Sequence, residues 1–140
     1  MANIEEAFVA HLISDPTIKS LIEYETGKFD IYPILVPPEK ISDVEYAITY
    51  TLIAGNEDSF LDIQFPMFQF NAIGNTYAKA KELANAIKNS LIRFKGLLGN
   101  ERDVKYIWKT GEVQLYDEDS EKYFMPIDLK FKYKGDSFNS

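Results

Sequence analysis

Few side chains in this sequence have the type and spacing that chemistry requires. The only imidazole is His11, flanked by Ala10 and Leu12 in a stretch of helical periodicity. Nucleophilic catalysis needs a nucleophile, a base and an orienting group, and His11 alone reads as a satisfied or surface histidine. There is no cysteine, which removes disulfides, thiolate metal sites and thiol nucleophiles and agrees with a reducing compartment. The seven glycines stand singly, so no loop gathers backbone N–H groups around a phosphate. Asp117, Glu118, Asp119 and Glu121 cluster hard oxygen ligands, yet they lack the alternating carboxylates, the glycine and the distal glutamate of a calcium loop. A hairpin tip is also the wrong place to raise a carboxyl pKa for acid–base work. The four acids read as a solvated turn. Trp108 with Lys105 and Lys109 resembles a stacking platform for single-stranded nucleic acid, which pairs rings with a positive groove. The acidic balance of the chain favours packing for Trp108 instead. The expectation is a protein that acts by binding other proteins, with no catalytic residue, metal or cofactor.

Charge and length bound the partners. Fifteen basic and twenty-two acidic residues give a net charge of −7, the wrong sign for gripping duplex DNA through counterion release. Lys79, Lys81 and Lys88 read as a solvated helix face. The first ten residues carry acids and no basic region, unlike a signal peptide, and no apolar run approaches the ~20 residues of a membrane span. A cytoplasmic protein with no membrane partner is expected. A chain of 140 residues suits one domain, here assigned to 1–134, with 135–140 as a disordered tail. Ten Phe and nine Tyr favour β-structure and broad packing surfaces.

The elements that position these residues follow from periodicity and capping. Asn3 with Glu6 forms a capping-box pattern, and Ile4, Phe8 and Leu12 recur on one helical face. Asp15-Pro16 restarts a short helix carrying Ile18, Leu21 and Ile22, which should fail near Gly27. The segment 31–38 holds three prolines and is at best an edge strand or extended arm. Alternation over 44–52 (Val44, Tyr46, Ile48, Tyr50, Leu52) predicts a half-buried strand. Leu61, Ile63, Phe65 and Met67 alternate next, before Phe68 and Phe70 take the other parity, which places a bulge or break at Pro66. Asn75 or Thr76 should cap a helix with Ala80, Leu83, Ala84, Ile87, Leu91 and Phe94 on one stripe, stopped by Gly96. Val104, Tyr106 and Trp108 alternate, Gly111 shifts the phase, and the turn 117–121 leads into a long strand with Tyr123, Met125, Ile127, Leu129, Phe131 and Tyr133 on one side. The expected class is α+β in the order α-α-β-β-α-β-β: a largely antiparallel, four- to five-stranded sheet with helices packed on one face.

This layout resembles the phage tail-completion proteins, also described as tail terminators or tail-to-head joining proteins. The resemblance spans nearly the whole chain. It rests on the two N-terminal helices, on Asp30-Ile31-Tyr32-Pro33 ahead of a proline-containing loop, and on the strand 46–53. It rests further on Phe68-Gln69-Phe70-Asn71-Ala72-Ile73 running through a polar turn into Tyr77-Ala78-Lys79-Ala80-Lys81-Glu82-Leu83-Ala84, and on the final hairpin with its acidic turn. These are patterns of fold and not a chemical signature. The chain departs from the family at Asn71 and Ile73, where an aspartate and a tryptophan are common.

The resemblance implies a structural role without catalytic residues: an oligomeric ring, usually hexameric, that caps the tail tube and joins it to the head connector. The implied partners are further copies of the chain, the major tail-tube protein and head–tail connector proteins, with DNA only passing through the lumen. The implied location is the host cytoplasm during assembly and the tail or neck of the virion. Six copies at −7 would carry about −42, and an acidic lumen would let DNA pass without adhering. Head-to-tail rings need two different surfaces on one molecule. The aromatic surplus and the proline-bearing arm nominate Tyr32, Pro33, Phe68, Phe70, Trp108 and Tyr116 as interface residues. The alternative is a monomeric or dimeric interaction module, such as an adaptor or tail assembly chaperone. An enzyme or small-ligand binder has the least support.

Overall fold

A computed structural model describes residues 3–55, 57–58, 63–99 and 102–134; the expected tail at 135–140 and Leu61 lie outside them. Helix α1 (Ile4–Ser14) begins at the predicted capping box: the Asn3 side chain accepts from the Glu6 N–H at 2.7 Å, and the Asn3 N–H donates back to Glu6 Oε1. Asp15 ends α1 and caps α2 (Pro16–Ile22), accepting from the Thr17 N–H at 2.9 Å. The chain does not coil onward to Gly27 but turns there, at φ +77, into a two-stranded hairpin of β1 (Glu23–Glu25) and β2 (Lys28–Phe29).

The main sheet is larger than expected. Its central strands are β4 (Tyr46–Ala54), β7 (Met67–Gly74) and β11 (Lys122–Lys134), paired antiparallel in the order β4-β7-β11. At one edge β3 (Ile31–Pro33) pairs with β4 in parallel. At the other, β9 (Arg102–Glu112) pairs with β11, and β8 (Gly96–Leu98) pairs with β9. β10 (Leu115–Asp117) forms the acidic-turn hairpin with the start of β11. β6 (Ile63–Gln64) continues the line of β7 beside the end of β11, with β5 (Glu57–Asp58) outside it. The described residues thus place nine strands, not four or five, in a curled, mostly antiparallel sheet. Most of the additional strands are two or three residues long, too short to show a period of two.

Several expected phase changes appear with physical causes. The chain breaks at Phe65-Pro66, between β6 and β7, and the Pro66 carbonyl accepts from the Phe131 N–H at 2.9 Å, which holds the break against β11. β9 slips twice against β11, skipping Thr110 next to Gly111 and also Lys105. The second slip corrects the expected alternation. Val104 is buried, whereas Tyr106 and Trp108 lie on the opposite face from buried Ile107.

Helix α3 (Tyr77–Leu91) is capped by Thr76, which accepts from the Lys79 N–H. It ends at Leu91, short of the expected Phe94 and Gly96. The Arg93 N–H donates to the Ile107 carbonyl at 2.8 Å, drawing the chain onto β9, and Gly96 (φ +114) opens β8. All three helices contribute to one core. Phe8, Leu12, Ile18, Ile22, Leu83 and Ile87 pack on Ile48, Phe68, Phe70, Ile127, Leu129 and Phe131 of the sheet. A smaller cluster of Val36, Val44, Ala47 and Ile73 covers part of the other sheet face, beneath the segment 34–41.

Candidate interaction surfaces

The proline-bearing arm is where the backbone is forced. Ile34 stands at φ +70, a conformation that a β-branched residue adopts only against steric cost. It is held there because its N–H donates to the Tyr50 carbonyl at 2.8 Å while the Leu35 N–H donates to Pro33. The result is outward display: Ile34 and Leu35 are 67% and 57% exposed.

Two polar latches hold the rest of the arm. Lys40 Nζ donates to Tyr24 Oη at 2.9 Å and Tyr32 Oη at 3.0 Å and lies 3.9 Å from the buried Asp30 carboxylate. The Tyr32 hydroxyl donates to Asp30 Oδ1 at 2.6 Å. Hydrogen bonds to Tyr24 and Tyr32 push the Lys40 pKa above its usual value, and burial, with the Asp30 contact next, raises that of Tyr32. The second latch is Lys122, a buried lysine whose ammonium donates to the Val44 carbonyl at 2.9 Å and to Ser42 at 3.3 Å. It ties the β10–β11 hairpin to the end of the arm.

Between arm and hairpin lies an open groove of about 390 Å³. Ile73 of β7 and Phe124 of β11 form an apolar floor, with Thr49 and Asn71 beside them. Leu35, Val36 and Ile41 make the arm wall; Asp117, Asp119 and Ser120 make the facing wall. The Asp117 carboxylate accepts from Ser120 Oγ at 2.6 Å and from its N–H, which holds its pKa below the usual carboxylate value.

The structure separates the six nominated interface residues. Tyr32 is half-buried in the first latch, and Pro33 is exposed on the β3 edge. Trp108 is half-buried, its ring 5.6 Å from Tyr106 and beneath Lys130 at 5.9 Å. Tyr116 is exposed beside Tyr123, 4.7 Å between ring centres, and Tyr123 meets Tyr77. Phe68 and Phe70, by contrast, are core residues at 2% and 0% exposure. Their parity in β7 turns them towards α1, and Gln69 and Asn71 take the other face. Ile34 and Leu35 fall within the proline-bearing arm nominated from the sequence but are not named there, and Leu97, 60% exposed on edge strand β8, is not nominated at all. The available signal in the arm was an apolar run, Ile34-Leu35-Val36, enclosed by prolines, of which only Val36 turns into a core cluster.

The candidate chemical groups are engaged structurally. His11 Nε2 lies 3.0 Å from the Ser90 carbonyl, with the ring edge-on to Phe94. Lys79 pairs with Glu45 at 3.1 Å, and Lys88 with Glu112 at 3.0 Å. Among the described residues no group of three or more His, Asp or Glu side chains is placed to hold a metal ion, and no helix is long and apolar enough to cross a membrane.

These features define a mixed α+β protein: helices cover one face of a curled sheet, and a latched arm covers part of the other. No family model matches the sequence, and no curated protein matches it. Among solved structures it is similar to a chain described as "Virion of native gene transfer agent (GTA) particle", with a TM-score of 0.69 at 17% identity over 94% of this chain and 95% of that one. The two share a fold from end to end.

Proposed function

We propose that this protein is a non-catalytic structural subunit of a phage or phage-derived virion. In this reading it is a tail-completion protein, forming a ring that caps the tail tube and joins it to the head connector. The observation that carries the reading is the near-complete fold similarity to a chain of a gene transfer agent virion, a phage-like particle, joined to the resemblance in the arm, the strand–turn–helix segment and the final hairpin. The surface supports a binding role as well. Adjacent Ile34 and Leu35 are each more than half exposed at the tip of the arm, beside an open groove with an apolar floor, which supports a contact surface there. Its partners are then further copies of itself, the major tail-tube protein and connector proteins, with DNA only traversing the lumen. A pull-down with the major tail-tube protein of the same phage or prophage tests this. Retention of assembled tubes is expected. Failure to bind tubes, with free tail components captured instead, would favour an assembly chaperone and overturn the reading.

A further inference from the structure

The groove between the arm and the β10–β11 hairpin combines an apolar floor with a carboxylate rim, so it suits an apolar side chain flanked by cations. One segment of the same chain has that chemistry. After α3 the backbone bends outward through Arg93 (φ +67) and Gly96 (φ +114). Arg93, Lys95 and Leu97 are all exposed there, while Leu98 is buried and anchors the turn. Asp103, opposite Leu97 on β9, is paired with Lys105 at 2.7 Å, and no ion pair among the described residues engages Arg93 or Lys95. We propose that the 93–97 turn of one copy docks in the arm groove of the next, with Leu97 on the Ile73–Phe124 floor and Arg93 and Lys95 against Asp117 and Asp119.

Geometry requires a second copy for this contact. The groove lies towards the β3–β4 edge of the sheet and the turn lies on β8 at the opposite edge. They are also at opposite ends of the strands. Phe124 is in the groove floor, whereas the turn joins β9 where Val104 pairs with Tyr133. Nine residues of β11 separate those points, about 30 Å at strand rise, so a turn cannot reach its own groove. A contact between two different patches is head-to-tail, the type that closes rings or extends filaments. Copies that each carry −7 also repel in general, so association favours the site where signs are opposed. The latches at Lys40 and Lys122 hold both groove walls before binding, which reduces the ordering cost of association. This inference rests on the ring reading above and specifies its contact.

The absence of native cysteine permits a direct test in the full chain. Leu35→Cys and Leu97→Cys variants are mixed and oxidised, with Ile53→Cys plus Leu97→Cys as the control pair. Cross-linking of the 35–97 pair should exceed the control about tenfold, because docking raises the local thiol concentration. Adding Arg93→Glu and Lys95→Glu to the Leu97→Cys partner should remove the excess, and Asp117→Lys with Asp119→Lys on the Leu35→Cys partner should restore it. Far-UV circular dichroism confirms that each variant is folded. A 35–97 rate equal to the control, or an excess insensitive to charge reversal, overturns the proposal. Tube binding without the specific cross-link would defeat this contact alone; the cross-link without tube binding would defeat the tail-cap reading and leave the contact standing.

Discussion

Phe8 offers the sharpest test of how the helices are locked to the sheet. Its side chain is fully buried on α1 and meets four aromatic rings. Tyr50, Phe68 and Phe70 approach edge-on at 5.2, 5.0 and 4.9 Å, and Phe131 lies tilted at 5.7 Å. Those partners come from β4, β7 and β11, strands fixed to each other by antiparallel ladders. A cavity at Phe8 therefore cannot close by moving one element. Phe→Ala in a core costs about 3–5 kcal/mol, and edge-on aromatic pairs add about 0.5–1.5 kcal/mol to area burial. The rigid surround places Phe8→Ala in the upper half of the range, about 4–5 kcal/mol. With an unfolding entropy of about 2.1 cal/mol/K per residue, a chain of 140 residues would lose roughly 14–17 °C in Tm. Urea unfolding followed by far-UV circular dichroism and by Trp108 fluorescence measures this, provided the two probes coincide. Phe8→Leu, which keeps an apolar body in the site, should lose less than half as much. A loss below about 1.5 kcal/mol for Phe8→Ala would refute the reasoning, because it would mean that α1 moves to refill the space.

Two further substitutions probe other joints. Gly74 ends β7 beneath the first turn of α3, and an added Cβ would fall 2.8 Å from Ala80 Cα and 3.0 Å from the Lys79 carbonyl carbon, both backbone. Gly74→Ala should therefore cost about 1–3 kcal/mol by overpacking. Gly111→Ala meets only the Asp128 side chain at 3.3 Å, which must shift a few tenths of an ångström while keeping its hydrogen bond from Gln69. The variant's unfolding free energy from urea titration should therefore fall by less than about 1 kcal/mol; equal losses at the two sites would contradict the assignment. For Glu112, burial raises the carboxyl pKa, but hydrogen bonds from Lys88 and Lys109 outweigh it and hold the group below its usual 4.5. A depressed folded pKa contributes stability above pH 4.5 that is lost as pH falls through the folded value. Glu112→Gln should flatten the acid limb of the stability–pH curve below that point, and an unchanged limb would show that the two lysines do not act on this carboxylate.

The sequence made legible what depends on neighbours in the chain. Asn3, Asp15 and Thr76 cap helices as their spacing implies, because a cap is satisfied within three residues. The faces of β11 follow from strict alternation. What escaped depends on partners far along the chain. Lys40 reaches back 16 residues to Tyr24 and Lys122 reaches back 78 to Val44, distances over which no periodicity operates. Phe68 and Phe70 show the converse difficulty. A fully buried aromatic and an interface aromatic have the same sequence signature, and only the packing of α1 against β7 assigns them to the core. The short strands β3, β8 and β10 exist because longer strands offer them an edge, a property of the sheet and not of their own residues.

The arm sets stability against surface shape. The core beneath α1 and α3 is continuous without it, yet the chain keeps Ile34 in a left-handed conformation, a buried lysine and a buried aspartate to hold it. Each of these opposes folding taken alone: a strained β-branched residue costs on the order of 1–3 kcal/mol, and a buried charge must recover its desolvation through hydrogen bonds. Their common effect is to fix the arm at a set height above Ile73 and to leave Ile34 and Leu35 facing water. Joining β3 to a parallel β4 requires a crossover of about a dozen residues in any case, so topology accounts for the arm's length but not for its exposed apolar tip. Strain concentrated where apolar side chains are displayed agrees with the docking proposed for this groove, and the two latches make its shape a property of the folded chain itself.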